Sequence, residues 1–324
     1  MTYPNGWDGP GYYAAQLAPE QVRTDWTAPI GEPGIVPPRP LQLGDILGGA
    51  FRAVRYAPLT MLGLTLALVM VAEVLGLGIG YVLSQQFGGS FMDTGSEDYF
   101  DAGLFSWTTL TSSLTRSVTG VVVGMGLIYA VSEAAAARRV SPQEALRRMG
   151  SRLWAALGFS LVCGAPIAAW FALLLAGFGS ASAGLAALAV LSTLVGAPLA
   201  IWLGTRLILA PAVISVERLG PLRAIRRSWF LTQGQFWRML GIYALSSVII
   251  SLAAGTVSSV FSFAGALLGI ADANLALIGM TTASSLTSSV LSLPLTAAVQ
   301  SLLYVDARIR REGYDLQLSE ALYG

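Results

Sequence analysis

The chain has 324 residues, of which 54% are hydrophobic and only 11% charged, and its mean hydropathy is +0.65. That leaves too little polar surface to cover a soluble globule of this length and places the chain in lipid. Formal net charge is +1, all 19 basic residues are Arg, His is absent and Cys163 is the single cysteine. His-dependent catalysis, an intrachain disulfide and a cysteine metal site are thereby excluded.

Residues 1–40 are rich in Pro, Gly and scattered aromatics, among them Tyr3, Trp7, Tyr12, Tyr13 and Trp26. They contain no basic stretch leading into an apolar core, which argues against a signal peptide. Their composition predicts a disordered cytoplasmic tail.

Six apolar stretches follow, at residues 58–84, 108–137, 153–176, 184–210, 236–270 and 275–305. Each is near the roughly 20 residues needed to cross about 30 Å of hydrocarbon. They define a membrane domain over 41–310, with a short cytoplasmic tail at 311–324. Arginine placement sets the orientation. Arg39, Arg52 and Arg55 precede the first span; Arg138, Arg139, Arg147, Arg148 and Arg152 lie between the second and third. Arg218, Arg223, Arg226, Arg227 and Arg238 lie between the fourth and fifth, and Arg308, Arg310 and Arg311 close the sixth. The opposite loops carry Asp93, Glu97, Asp98, Asp101 and Asp272. Positive charge favours the inner side, so both termini are expected in the cytoplasm.

A short motif recurs three times. Ala50-Phe51-Arg52 leads to Leu62-Gly63-Leu64, Ala145-Leu146-Arg147 to Leu157-Gly158-Phe159, and Ala224-Ile225-Arg226 to Leu240-Gly241-Ile242. The third copy is longer by about one helical turn, which leaves its apolar face unrotated. The expected fold is therefore all-α, with six transmembrane helices arranged as three parallel two-helix repeats, each preceded by a short cytoplasmic interfacial helix. Ser141-Pro142-Gln143-Glu144 has the pattern of a capping box with a first-turn proline. In the third copy, Leu222, Ile225, Trp229 and Phe230 are placed to face acyl chains. Arg52, Arg55, Arg147, Arg148, Arg223, Arg226 and Arg227 are candidate contacts for anionic phospholipid headgroups, the partner such basic segments attract.

Charges inside the spans are costly and mark partners or water. Glu73 and Arg116 lie at matched depth from the outer end of the first two spans, which predicts an ion pair. Nearer the cytoplasm, Glu133, Arg206 and Asp306 occupy comparable positions in successive hairpins, so Arg206 is expected to bridge the two carboxylates. Small residues suggest close helix contacts at Gly120 and Gly124, along Ser247, Ser251, Gly255 and Ser259, and along Ser284, Ser288 and Ser292. Pro166, Pro198 and Pro294 are candidate kinks.

The stretches PGIVPPRPLQLGDILGGAFRAVRYAP, AIRRSWFLTQGQFWRMLG and YVDARIRREGYDLQL resemble an actinobacterial multi-pass membrane family of unknown function. That family is similar to the membrane domain joined to some glycerophosphodiester phosphodiesterases. The resemblance covers residues 34–318 and implies a membrane-domain fold in an actinobacterial plasma membrane. It carries no activity across, because the His and carboxylate residues of such a catalytic barrel have no counterpart here.

Neither a Walker loop nor a dinucleotide-binding glycine pattern occurs, no cofactor is implied, and the arginines form membrane-proximal collars rather than a nucleic-acid surface. Two function classes follow. One is a non-enzymatic scaffold or accessory protein engaging lipids or protein partners at the cytoplasmic face. The other is a transporter or lipid-handling protein with a polar path through the bundle, which requires a central cavity.

Overall fold

The computed structural model describes residues 40–87, 102–135, 138, 140–179, 183–268 and 273–313, all within one compact unit. The expected tail, apart from Pro40, the acidic loop at 93–101 and residues 314–324 lie outside the described residues.

The described residues are helical and include no strand. They form α1 (Leu43–Tyr56), a π-helical turn (Leu59–Gly63) entering α2 (Leu64–Phe87), α3 (Ala102–Ala135) and α4 (Pro142–Gly179). There follow α5 (Ala183–Leu207), α6 (Ala210–Val216), α7 (Pro221–Thr232), α8 (Phe236–Leu268) and α9 (Ala273–Glu312). Six segments are long and apolar enough to cross a membrane: Leu59–Gln86, Trp107–Ala135, Pro142–Leu174, Ala183–Val216, Phe236–Leu267 and Ala276–Glu312. The expected spans are all found, the fourth extended by α6 and the sixth continuing to Glu312.

α1 and α7 are separate amphipathic helices. In α1, the Gln42 backbone N–H donates to Asp45 Oδ2 at 3.0 Å, an acidic first turn that also suits the helix dipole. Ile46, Gly49, Ala50 and Ala53, at helical spacing, are buried against α9. Pro58 then drives Ala57 out of the helical region (φ −137°, ψ 64°) and α1 ends. α7 buries Ala224, Ser228 and Leu231 and stops at Gly234, whose φ of +75° suits a residue without a side chain.

The segment around Arg147 differs from both. α4 runs unbroken for 38 residues, so the basic segment around Arg147 is the first part of the spanning helix instead of a short helix of its own. The physical reason lies in Arg148-Met149-Gly150-Ser151-Arg152, which has neither the proline nor the positive-φ glycine that ends α1 and α7. At its start the Glu144 N–H donates to Ser141 Oγ at 3.2 Å, half of the expected capping box, while the Glu144 carboxylate accepts from Tyr129 Oη at 3.4 Å.

The core lies where α3, α6 and α9 meet, around Leu127, Ile128, Leu209, Ile214, Leu302, Leu303 and Tyr304. Burial is uneven. The most apolar window of the α3 span is 56% buried within the protein, and those of the spans built from α4 and from α5 with α6 are each 6% buried.

Close helix approach occurs at glycines other than those expected. A Cβ on Gly76 would lie 2.6 Å from Ser112 Cα, and one on Gly80 would lie 2.5 Å from Thr108 Cα, so α2 and α3 are nearly in backbone contact. Thr111 Oγ1 donates to the Gly76 carbonyl there at 2.6 Å. A Cβ on Gly124, by contrast, would meet nothing within 4 Å. On α8 the buried line is Ile242, Ser246, Ile250, Ala254 and Ser258, whereas Ser251, Gly255 and Ser259 are exposed. The small-residue ridge expected there is rotated out of the packed face by one residue. Pro166, Pro198 and Pro294 all sit inside continuous helices.

Candidate functional site

Two interior charges meet beneath the Gly76 and Gly80 contact. Arg116 Nη1 of α3 lies 3.0 Å from Glu73 Oε1 of α2, and Ser285 Oγ of α9 donates to the same carboxylate oxygen at 2.8 Å. Glu73 is 2% exposed, so this carboxylate depends on those two partners for its stabilisation. Arg116 is 26% exposed along its side chain and donates from Nη2 to Ser113 Oγ at 3.3 Å. Its guanidinium has further N–H donors beyond these two bonds.

Arg116 also forms the wall of a cavity of about 540 Å³ between α3, α4, α6 and α9. α3 and α9 run parallel alongside it, because Glu73 joins Arg116 to Ser285 at one level and Ser301 Oγ donates to the Ile128 carbonyl at another, 3.3 Å away. Ser113, Ser117 and Ser289 share the Arg116 end. Val121, Met125, Ile128, Phe159 and Leu293 make an apolar wall, and Thr296 and Gln300 supply polar groups further along. From Arg116 to Ile128 the α3 side of the cavity is about 18 Å long, at about 1.5 Å per residue. The Gln300 amide makes no hydrogen bond among the described residues. Gly120 and Gly124 open this wall instead of docking a helix; a Cβ at Gly120 would reach only Leu293 Cδ2, at 3.5 Å.

The expected second cluster does not form. Among the described residues, Glu133 pairs with Arg138 at 3.0 Å. Asp306, 0% exposed, pairs with Arg238 and with Arg310, the latter at 3.0 Å, and accepts the Leu41 backbone N–H at 2.8 Å. Arg206 instead donates to Thr232 Oγ1 at 3.4 Å and lies over the rings of Trp229 and Phe236, 5.4 and 5.7 Å from their centroids. Aromatic faces thus receive a cation that matched depth assigns to carboxylates, while its buried Nε has no hydrogen-bond partner. Arg310 stands one turn after Asp306, an (i, i+4) spacing visible in the sequence. Arg238 carries no comparable signal.

The seven candidate headgroup contacts divide. Arg52, Arg55, Arg147, Arg223 and Arg226 are exposed. Arg148 is drawn over the Tyr129 ring, 4.1 Å from its centroid. Arg227 is held by Glu217, at 3.1 Å, and by Glu312, at 2.6 Å, with Tyr304 Oη donating to Glu217 at 2.8 Å. Burial alone would push the Arg227 guanidinium down, but the two carboxylates outweigh it and hold it above the ordinary arginine range. Leu222 and Phe230 are exposed as expected, whereas Trp229 packs edge-to-face on Trp202 with centroids 5.2 Å apart.

No family model, curated protein or solved structure matches the chain. Its fold defines an all-helical protein whose six apolar segments suit membrane insertion.

Proposed function

We propose that this is a non-enzymatic, multi-pass membrane protein that takes an amphipathic molecule into the cavity between α3, α4, α6 and α9, as a lipid-handling or transport protein would. The observation that carries this reading is the cavity itself. It combines one guanidinium, several hydroxyls and an unengaged amide with an apolar wall, in about 540 Å³, within the range of small-molecule sites. A scaffold has no need of such a space.

The exposed Arg52, Arg55, Arg147, Arg223 and Arg226 support contact with anionic phospholipid headgroups as an accessory interaction. Arginine distribution supports cytoplasmic termini and three parallel hairpins. The resemblance described above supports an actinobacterial plasma membrane.

Purification in mild detergent followed by native mass spectrometry tests the reading. One amphiphile per chain is expected, and Gly124→Phe, which projects into open space, is expected to remove it while leaving the fold intact. A stoichiometric protein partner on a chain whose cavity is empty would favour the scaffold instead.

A further inference from the structure

We propose that Arg206 is the headgroup site of one anionic phospholipid, whose acyl chain lies along the uncovered face of α5. The site is separate from the cavity between α3, α4, α6 and α9 and does not depend on it.

Arg206 is a charge without a counter-ion. Arg116, Arg227 and Arg238 are half-buried as it is, and each meets a carboxylate. Among the described residues Arg206 meets none. Its Nη1 bond to Thr232 Oγ1 is long, at 3.4 Å, and its buried Nε has no partner. Nη2 has no hydrogen-bond partner either and, unlike Nε, is not enclosed. The rings of Trp229 and Phe236 attract the cation but leave these N–H donors without an acceptor. A phosphate supplies both the acceptors and the opposite charge, in the geometry that a guanidinium matches.

The helix face selects a lipid as the source of that phosphate. Val195, Leu199 and Trp202 precede Arg206 at intervals of four, three and four residues, so the four side chains leave α5 on one side. All three apolar residues are exposed, and Arg206 stands in the last turn of the helix. From Val195 to Arg206 the line is about 17 Å long at about 1.5 Å per residue, close to the roughly 15 Å of hydrocarbon in one leaflet. An acyl chain covers this line while its phosphate reaches the guanidinium; a free anion leaves the line bare.

α7 fixes the sign of the headgroup. Ser228 Oγ donates to the Arg206 carbonyl at 2.7 Å and holds the end of α5 against α7. That helix carries Arg223, Arg226 and Arg227 and no acidic residue. Glu217 and Glu312 neutralise Arg227, whereas Arg226 is exposed and, three residues before Trp229, neighbours it on the helix surface. A phosphodiester with an uncharged head suits this excess of positive charge, and a head carrying its own ammonium does not.

The test places full-length protein in phosphatidylcholine vesicles doped with phosphatidylglycerol that carries a diazirine in one acyl chain, or with phosphatidylcholine carrying the same chain. After illumination, peptide mapping locates the adducts. About tenfold more label is expected between Val195 and Trp202 from phosphatidylglycerol than from phosphatidylcholine. Arg206→Gln is expected to remove that excess, and Arg55→Gln, on α1, to keep it. Gly124→Phe is also expected to keep it, since label in the cavity maps to Val121 and Phe159 instead. Equal labelling by the two lipids overturns the site, as does an equal loss in Arg206→Gln and Arg55→Gln. Inorganic phosphate at matched ionic strength is expected to leave the excess in place; displacement overturns the lipid as occupant. Should Arg206→Gln fail to fold, the comparison of the two lipids on the unaltered protein decides alone.

Discussion

Arg238, near the start of α8, and Asp306, near the end of α9, form an ion pair whose carboxylate is 0% exposed, and the second arm of the same guanidinium donates to the Leu41 carbonyl. With the Leu41 N–H donating to Asp306, both polar groups of one peptide unit's residue are tied to the pair. Arg310 completes the arrangement.

Removing the carboxylate from this knot leaves two arginines without their counter-ion. Asp306→Leu is expected to destabilise the protein by about 3 kcal/mol, the scale of breaking a buried ion pair, read as a fall in thermal midpoint in detergent. The exposed Arg147→Gln serves as the comparison. An equal shift for both would show that Asp306 holds nothing together.

The α2 and α3 contact makes a steric prediction. Gly76→Ala and Gly80→Ala each place a methyl group inside backbone contact distance and are expected to cost about 1–3 kcal/mol as overpacking. Gly78→Ala, with open space around it, is expected to be neutral. Thermal melts of the three variants check the contrast.

Arg227 and Arg223 are close in sequence and different in role. Losing the pairs to Glu217 and Glu312 in Arg227→Gln is expected to cost about 2 kcal/mol of stability. Arg223→Gln is expected to leave stability unchanged and weaken retention of anionic lipid by about 1 kcal/mol. Paired melts and lipid-retention measurements separate the two.

The cavity predicts a pattern of thiol accessibility. On a Cys163→Ala background, Ser117→Cys and Ser289→Cys are expected to react with a small water-soluble thiol reagent. Ser246→Cys, buried on the packed face of α8, is expected to stay protected. Protection at all three positions would mean that water does not reach the cavity.

What the sequence discloses and what it hides have a common physical origin. Hydropathy and length are properties of a single helix, so the spans were legible to within a few residues at most ends. Depth in the bilayer is also legible from one chain, and it aligned Glu73 with Arg116. Depth does not report the angle at which a side chain leaves its helix. Arg206 was therefore matched by height to Glu133 and Asp306, although its direction takes it to Trp229 and Phe236. The same blindness displaced the α8 ridge by one residue and missed Ser285 and Gln300 beside a run of other polar positions on α9. The unbroken course of α4 was more accessible, since the absence of a helix-ending residue near Gly150 is written in the sequence.

The low burial of the α4 and α5–α6 spans has a mechanical consequence. α4 supplies Phe159 to the cavity wall, yet along its most apolar stretch it rests mainly against the surrounding medium. In a bilayer that medium is acyl chain, as apolar as the leucines it touches. The separation between this wall and the α3–α9 wall is then set partly by lateral pressure and membrane thickness, and the solvent of the protein becomes a structural component of its cavity.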